Sequence, residues 1–194
     1  MLGIFLDLET NGLNPFKHRV LEIALKIIDL YTGKLVGQYD SIVQHPLSTW
    51  QASDLISLEV NGFTLEKMNS GKTEDVISKE VTTLFNNCSI KRGGSLYICQ
   101  NPSFDRIFFD QLISVENQEK FQWPYHWLDL ASMYWALHIK EMPIQQTAPL
   151  KDGLSKDEIA KSCNIPPETR PHTAMNGVNH LYSCYKSVVG IPRL

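Results

Sequence analysis

The stretch Phe5-Leu6-Asp7-Leu8-Glu9-Thr10-Asn11-Gly12 (FLDLETNG) decides how this chain is read. An apolar run, Gly3-Ile4-Phe5-Leu6, leads into two acids two residues apart. On a strand, side chains two apart point to the same face, so Phe5, Asp7 and Glu9 line up. Carboxylates that close repel, and one is driven to take up a proton unless something relieves it. Three remedies exist: a cation, Arg or Lys partners, or an exit to solvent. No Arg or Lys lies within the strand, and Thr10-Asn11-Gly12-Leu13 reads as a turn directly after it. Both acids therefore sit at the strand's C-terminal end. Hard divalent cations bind carboxylate oxygens, while the bland alternative is a strand end reaching solvent.

The rest of the composition bounds the answer. With 194 residues, 43% hydrophobic and 20% charged, the chain suits one domain over 1–194 with a sizeable core. Cys88, Cys99, Cys163 and Cys184 form no CxxC pair and no zinc spacing. With no signal peptide ahead of the first strand, they are expected to be reduced thiols in a cytoplasm. The apolar runs are too short to cross a bilayer, so no membrane association is expected. A net charge of −3 argues against a broad basic surface gripping nucleic acid non-specifically. It does not exclude an enzyme that holds a short stretch of strand through metal ions.

Three β segments are expected first, Gly3 to Leu8, Val20 to Leu30 and Leu35 to Val43, with Gly33 in the hairpin turn YTGK. Short helical pieces, Asp54 to Leu58 and Thr64 to Met68, flank an Asn61-Gly62 turn. Thr73 to Asn87 is an amphipathic helix whose stripe is Val76, Ile77, Val81, Leu84 and Phe85. A buried strand, SLYIC, leads into a helix from Ser103 to Leu112. Trp127 to Leu137 is a strand or the start of a helix, and Ile139 to Asp152 a loop. Two helices follow, Leu154 to Cys163 and Pro171 to Val189. Strands first, then alternation with helices, predict an α/β fold with a mixed sheet covered by helices.

Two further stretches carry chemistry. Gln100-Asn101-Pro102-Ser103-Phe104-Asp105 follows a strand and opens a helix, placing Asp105 near the strand end; the plain reading is a first-turn acid stabilised by the helix dipole. Pro171-His172-Thr173-Ala174 opens the last helix; a lone histidine there is more often structural than catalytic, though imidazole is the side chain best suited to general-base work.

Together these stretches resemble the DEDDh family of 3′–5′ exonucleases, which has a ribonuclease-H-like fold. FLDLETNG resembles its FxDxET(T)G signature. Gln100 to Asp105 resembles its HNxxFD signature, with Gln100 where His is common. Leu154-Ser155-Lys156-Asp157-Glu158-Ile159 resembles the short SLDxL helix before the third motif, and Trp127 to Leu130 the connecting strand. His172-Thr173-Ala174-Met175-Asn176-Gly177-Val178 resembles HxAxxDA, with Gly177 in place of the final acid.

The resemblance implies a ribonuclease-H-like mixed five-stranded sheet flanked by helices. It implies a site of Asp7, Glu9, Asp105 and His172 holding two Mg²⁺ or Mn²⁺ ions. Asp7 would bridge both ions, Glu9 complete the first and Asp105 the second. His172 would take the proton of the attacking water, and nucleoside 5′-monophosphates would leave from a DNA or RNA 3′ end. Thr10 and Asn11 are placed to meet the terminal 3′-OH. Phe63 either stacks on a terminal base or anchors its loop. For the acid missing at Gly177, His180, three residues on and leaning back over the empty space, either stands in as a ligand or merely faces solvent or a neighbouring loop, leaving a weakened or dead site with one ion. As a nitrogen ligand it would favour Mn²⁺ over Mg²⁺. Asn176 and Asn179 are the other neighbours. The departure at Gly177 keeps open a second reading, a nucleic-acid-binding or scaffold protein that kept the fold and lost turnover. A polymerase partner or a homodimer is compatible with either reading.

Asp7→Ala is expected to abolish metal-dependent cleavage while leaving folding intact, because relief of carboxylate repulsion offsets lost ligation. Turnover assays beside circular dichroism check this, and near-normal turnover would remove Asp7 from the chemistry.

Overall fold

The structure, a computed structural model, describes residues 1–141 and 153–191. The expected meander is present as β1 (Leu2–Thr10), β2 (Val20–Asp29) and β3 (Leu35–Ile42). Three short helices follow, α1 (Leu47–Gln51), α2 (Leu55–Asn61) and α3 (Leu65–Asn69), then α4 (Glu74–Asn87). The chain continues as β4 (Ser95–Cys99), α5 (Pro102–Leu112), α6 (Val115–Lys120), β5 (Trp127–Asp129) and α7 (Leu130–Glu141). Beyond residue 152 lie α8 (Lys156–Ser162) and α9 (Ala174–Val188).

The sheet has five strands in the order β3-β2-β1-β4-β5. β1 is antiparallel to β2 and parallel to β4, which is parallel to β5. This is the mixed, helix-flanked α/β sheet expected of a ribonuclease-H-like fold. β1 lies at its centre and is covered on both faces. Ile4, Leu6 and Leu8 enter one core with Ile77, Val81 and Phe85 of α4 and Phe108 and Phe109 of α5. Phe5 enters the opposite core with Val178, Leu181, Cys184 and Tyr185 of α9. It meets the rings of Tyr182 and Tyr185 edge-on, at centroid distances of 5.0 and 5.2 Å. Double coverage explains why β1 and β2 read as nearly continuous apolar runs rather than an alternation.

Pairing of β1 with β2 runs in register from Leu2↔Asp29 to Glu9↔Glu22, then shifts so that Thr10 faces Val20. A bulge of this kind bends the strand and ends regular pairing. It turns the chain away just after the two acids and leaves their end of β1 open.

Several elements differ from expectation. α1 and α6, of five and six residues, are too short to show a helical period. The Trp127 segment resolves into both options, a three-residue strand and then a helix. That helix runs through Ile139 and Lys140, where a loop was expected; the remainder of that loop lies outside the described residues. α9 begins at Ala174, with the Thr173 side chain accepting from the Asn176 N–H as N-cap. Pro171 and His172 therefore stand ahead of the helix rather than on it. Their approach is set by α2. The His172 N–H donates to Val60 O at 3.2 Å, and Pro171 packs over Gly62, whose φ of +63° ends α2 in the left-handed region.

Phe85 tests the first core. It is fully buried and packs on Trp123 at a centroid distance of 4.6 Å. Phe85→Ala is expected to cost roughly 3–5 kcal/mol. Urea denaturation would register this as a lower midpoint with an unchanged slope.

Candidate active site

The open end of β1 is a cleft of about 310 Å³. Asp7 and Glu9 reach it from β1, Gln100 from the end of β4, and Phe104 and Asp105 from the first turn of α5. Ser155, Lys156 and Asp157 come from the start of α8, and Glu168 and His172 from the loop before α9. Residues far apart in sequence thus meet at the carboxyl ends of two parallel strands, where α/β sheets place ligand sites.

Local structure explains each approach. Asn101, in the left-handed conformation that asparagine tolerates, turns the chain from β4 into α5. Its N–H donates to Asp129 Oδ1. Gln100 Nε2 donates to Leu154 O at 2.8 Å, tying β4 to the approach of α8. Ser155 caps α8 by accepting from the Glu158 N–H. Asp157 Oδ1 accepts from the Glu168 N–H and holds the following loop against α8.

The electrostatics are dominated by negative charge in a desolvated place. Burial, opposed by Lys156, pushes the Asp7 carboxyl above its ordinary range, and neighbouring Glu168 adds to the rise. Burial and then the Asp7 charge push Glu9 up to about 8. Asp105, 4% exposed, is raised well above a usual carboxylate by burial and then by Asp7. Lys156 answers this charge. Its Nζ lies 3.3 Å from Asp7 Oδ1 and 2.8 Å from Glu168 Oε2. Burial disfavours the ammonium, yet Asp7 and Glu168 outweigh it and raise the amine above its ordinary value.

A divalent cation fits the chemistry of this cleft. The donors are hard carboxylate oxygens, short of positive charge, and Glu168 Oε1 is buried without a hydrogen-bond partner. No three His, Cys, Asp or Glu side chains among the described residues are grouped as the ligands of one ion would be. As the side chains stand, Lys156 supplies the positive charge beside Asp7.

The structure brings Asp7, Glu9, Asp105 and His172 to one cleft, and it places the remaining candidates elsewhere. His180 does not line this cleft: its Nε2 lies 2.9 Å from Pro166 O, its Nδ1 lies 3.9 Å from Glu168 Oε2, and it lines a separate surface pocket with Asn176 and Asn179. The lean expected from helix geometry is overridden by the Pro166-Pro167 loop, which captures the ring. Asn176 bonds Thr169 and Asn179 accepts from Lys26, so neither fills the gap. Phe63 is the loop anchor, 5% exposed beside Leu21 and Met68, with the Lys67 ammonium 3.8 Å above its ring. Asn11 is fully buried and ties its loop to α1, donating to Thr49 O and Ser53 Oγ and accepting from the Arg19 N–H. Thr10 Oγ1 donates to Gly12 O, and the residue lines a neighbouring cleft.

Lys156 and Glu168 were missed. Lys156 reads as one polar residue among many at a helix start. Its one signal is a cation at the first position of a helix, where the macrodipole favours acids. Glu168 has no local signal beyond the two prolines before it.

No family model and no curated protein matches the chain. Solved structures do match by fold. Cell-death related nuclease 4 (CRN-4) superposes with a TM-score of 0.70 at 14% identity, over 97% of this chain and 63% of its own. E. coli exonuclease I in complex with a dT13 oligonucleotide gives 0.71 at 16% identity, over 96% and 41%. The zinc-ion-bound form of the E. coli exonuclease I complex with single-stranded DNA gives 0.72 at 16%, over 96% and 40%. This chain therefore spans less than two thirds of the length of each. Such likeness shows that it shares the fold of these nucleases. No helix of the described residues is long and apolar enough to cross a membrane.

Glu9 makes stability depend on pH. Its folded pKa of about 8 lies above the ordinary 4.5, so the folded state binds more protons than the unfolded state between those values. Stability then falls as pH rises through that window. Thermal melts of the metal-free protein are expected to drop from pH 5 to pH 8.5, and to drop less in Glu9→Gln.

Proposed function

We propose that this chain is a metal-dependent 3′–5′ exonuclease that hydrolyses the terminal phosphodiester of single-stranded DNA or RNA. The observation that carries this reading is the convergence of Asp7, Glu9, Asp105 and His172 on one cleft. His172 Nε2 is buried there without a hydrogen-bond partner. The fold shared with exonuclease I, which has been solved bound to single-stranded oligonucleotides, supports the same substrate class.

A divalent ion bound by Asp7, Glu9 and Asp105 would neutralise the phosphate and polarise it for attack. His172 Nε2 takes the proton from a water whose oxygen bonds to phosphorus. The bond from phosphorus to the 3′-oxygen of the preceding nucleotide breaks, that oxygen takes a proton from solvent water, His172 returns its proton to solvent, and the terminal nucleotide leaves as a 5′-monophosphate. Gln100 Oε1, also buried and unpartnered, is placed to accept a hydrogen bond from water or sugar. Beside the acids lies a second cleft of about 330 Å³, which shares Leu8, Glu9 and Phe104 with the first. Its rim includes Leu13 and Ile56, 72% and 71% exposed, apolar surface suited to the faces of a base. Phe104, which lines both clefts, offers the ring for stacking that one of the two readings gave to Phe63.

The catalytically weakened binding protein is favoured by one observation, the absence of a side chain at Gly177. The two readings separate in a single assay with 5′-labelled DNA and RNA oligonucleotides in Mg²⁺ or Mn²⁺. Stepwise shortening from the 3′ end, stopped by a 3′-phosphate and by EDTA, is expected. Binding without shortening would select the second reading. His172→Ala is expected to slow turnover roughly 10²–10⁴-fold with oligonucleotide affinity unchanged, measured by single-turnover kinetics and anisotropy.

A further inference from the structure

Three features meet at one point in space. The acid expected at position 177 is a glycine. A Cβ built on Gly177 would lie 2.0 Å from Asp7 Oδ2, so the Asp7 carboxylate rests against the backbone of α9, in space that a side chain would claim. A glutamate arrives instead from the loop before α9. Glu168 has a side chain only 3% exposed. It is held from two sides, by Asp157 accepting its N–H and by the His180 ring, whose Nδ1 lies 3.9 Å from its Oε2 while Nε2 meets Pro166 O. Its Oε1 is buried and unpartnered beside the cleft. A lysine arrives from α8: among the described residues, Lys156 is the only Lys or Arg lining the cleft.

We propose that the Lys156 ammonium, clasped between Asp7 and Glu168, permanently takes the place of one of the two ions, so that this site binds a single divalent ion. The inference rests on the exonuclease reading. Physically, an ammonium between two carboxylates does what a bridging cation does, at lower charge and without a coordination shell to complete. That removes the need for a fourth ligand at 177. An ammonium has three N–H donors, and its contacts with Asp7 and Glu168 leave one for an oxygen of the phosphate under attack. His180 then acts as a positioning residue for the Glu168 loop rather than as a ligand.

Ion stoichiometry tests this without turnover. Titration of the full chain with MnCl₂, followed by calorimetry and by electron paramagnetic resonance of free Mn²⁺, is expected to saturate at one ion per chain. Lys156→Met is expected to bind two, because Asp7 and Glu168 then face each other with no cation between them. Lys156→Met combined with Glu168→Gln is expected to return to one, and Lys156→Arg to stay at one. Two ions, or none, on the unaltered protein would overturn the proposal whether or not Lys156→Met folds. So would a folded Lys156→Met that still takes one. A protein that shortens oligonucleotides with two ions bound would lose this inference and keep its proposed activity. One that binds a single ion and releases no nucleotide would lose the activity.

Discussion

Carboxylates crowded at the buried end of β1 must be relieved of their mutual repulsion, and most of the site's design follows from that requirement. Asp7 and Glu9 share a face of the central strand, and Asp105 joins them from α5. Burial raises all three above the usual carboxylate range. The relief visible in the structure is Lys156, shared between Asp7 and Glu168. A lone buried ammonium would be costly, and so would a lone buried carboxylate. Each is tolerable because the others are there, which couples α8, the Glu168 loop and β1 electrostatically.

Packing makes that coupling rigid. β1 is clamped between two cores, with Phe5 on one face and Ile4, Leu6 and Leu8 on the other. The bulge after Glu9 ends the pairing where the acids begin to be useful. α9 lies against the same strand, and Gly177 lets the Asp7 carboxylate rest on its backbone. The loop that carries Glu168 and His172 is braced at separate points: Asp157 and His180 hold the Glu168 end, and Val60 and Gly62 of α2 seat the His172 end. Redundancy of this kind fixes where the Glu168 carboxylate and the His172 ring stand.

The chain determined by itself the elements with strong local patterns. The meander and the strand before Asp105 were legible as short apolar runs ended by turns, and α4 by the helical period of Ile77, Val81 and Phe85, although Val76, expected in the same stripe, is exposed. The acids of β1 were legible at a strand end because an apolar run leads into them and a turn follows, and the likeness of three short motifs to one nuclease family was legible in the residues themselves. What fills the space at Gly177 was not legible. Helix geometry nominated His180, the nearest side chain on that face, but Pro166 O lies close enough to capture its ring. Phe63 could be a platform or an anchor until Leu21, Met68 and Lys67 closed around it. The partner of Asp7 is Lys156, 149 positions away, and that of Lys156 is Glu168, on a loop with no period at all. Electrostatic partnership depends on distance in space, and only the folded chain sets that distance.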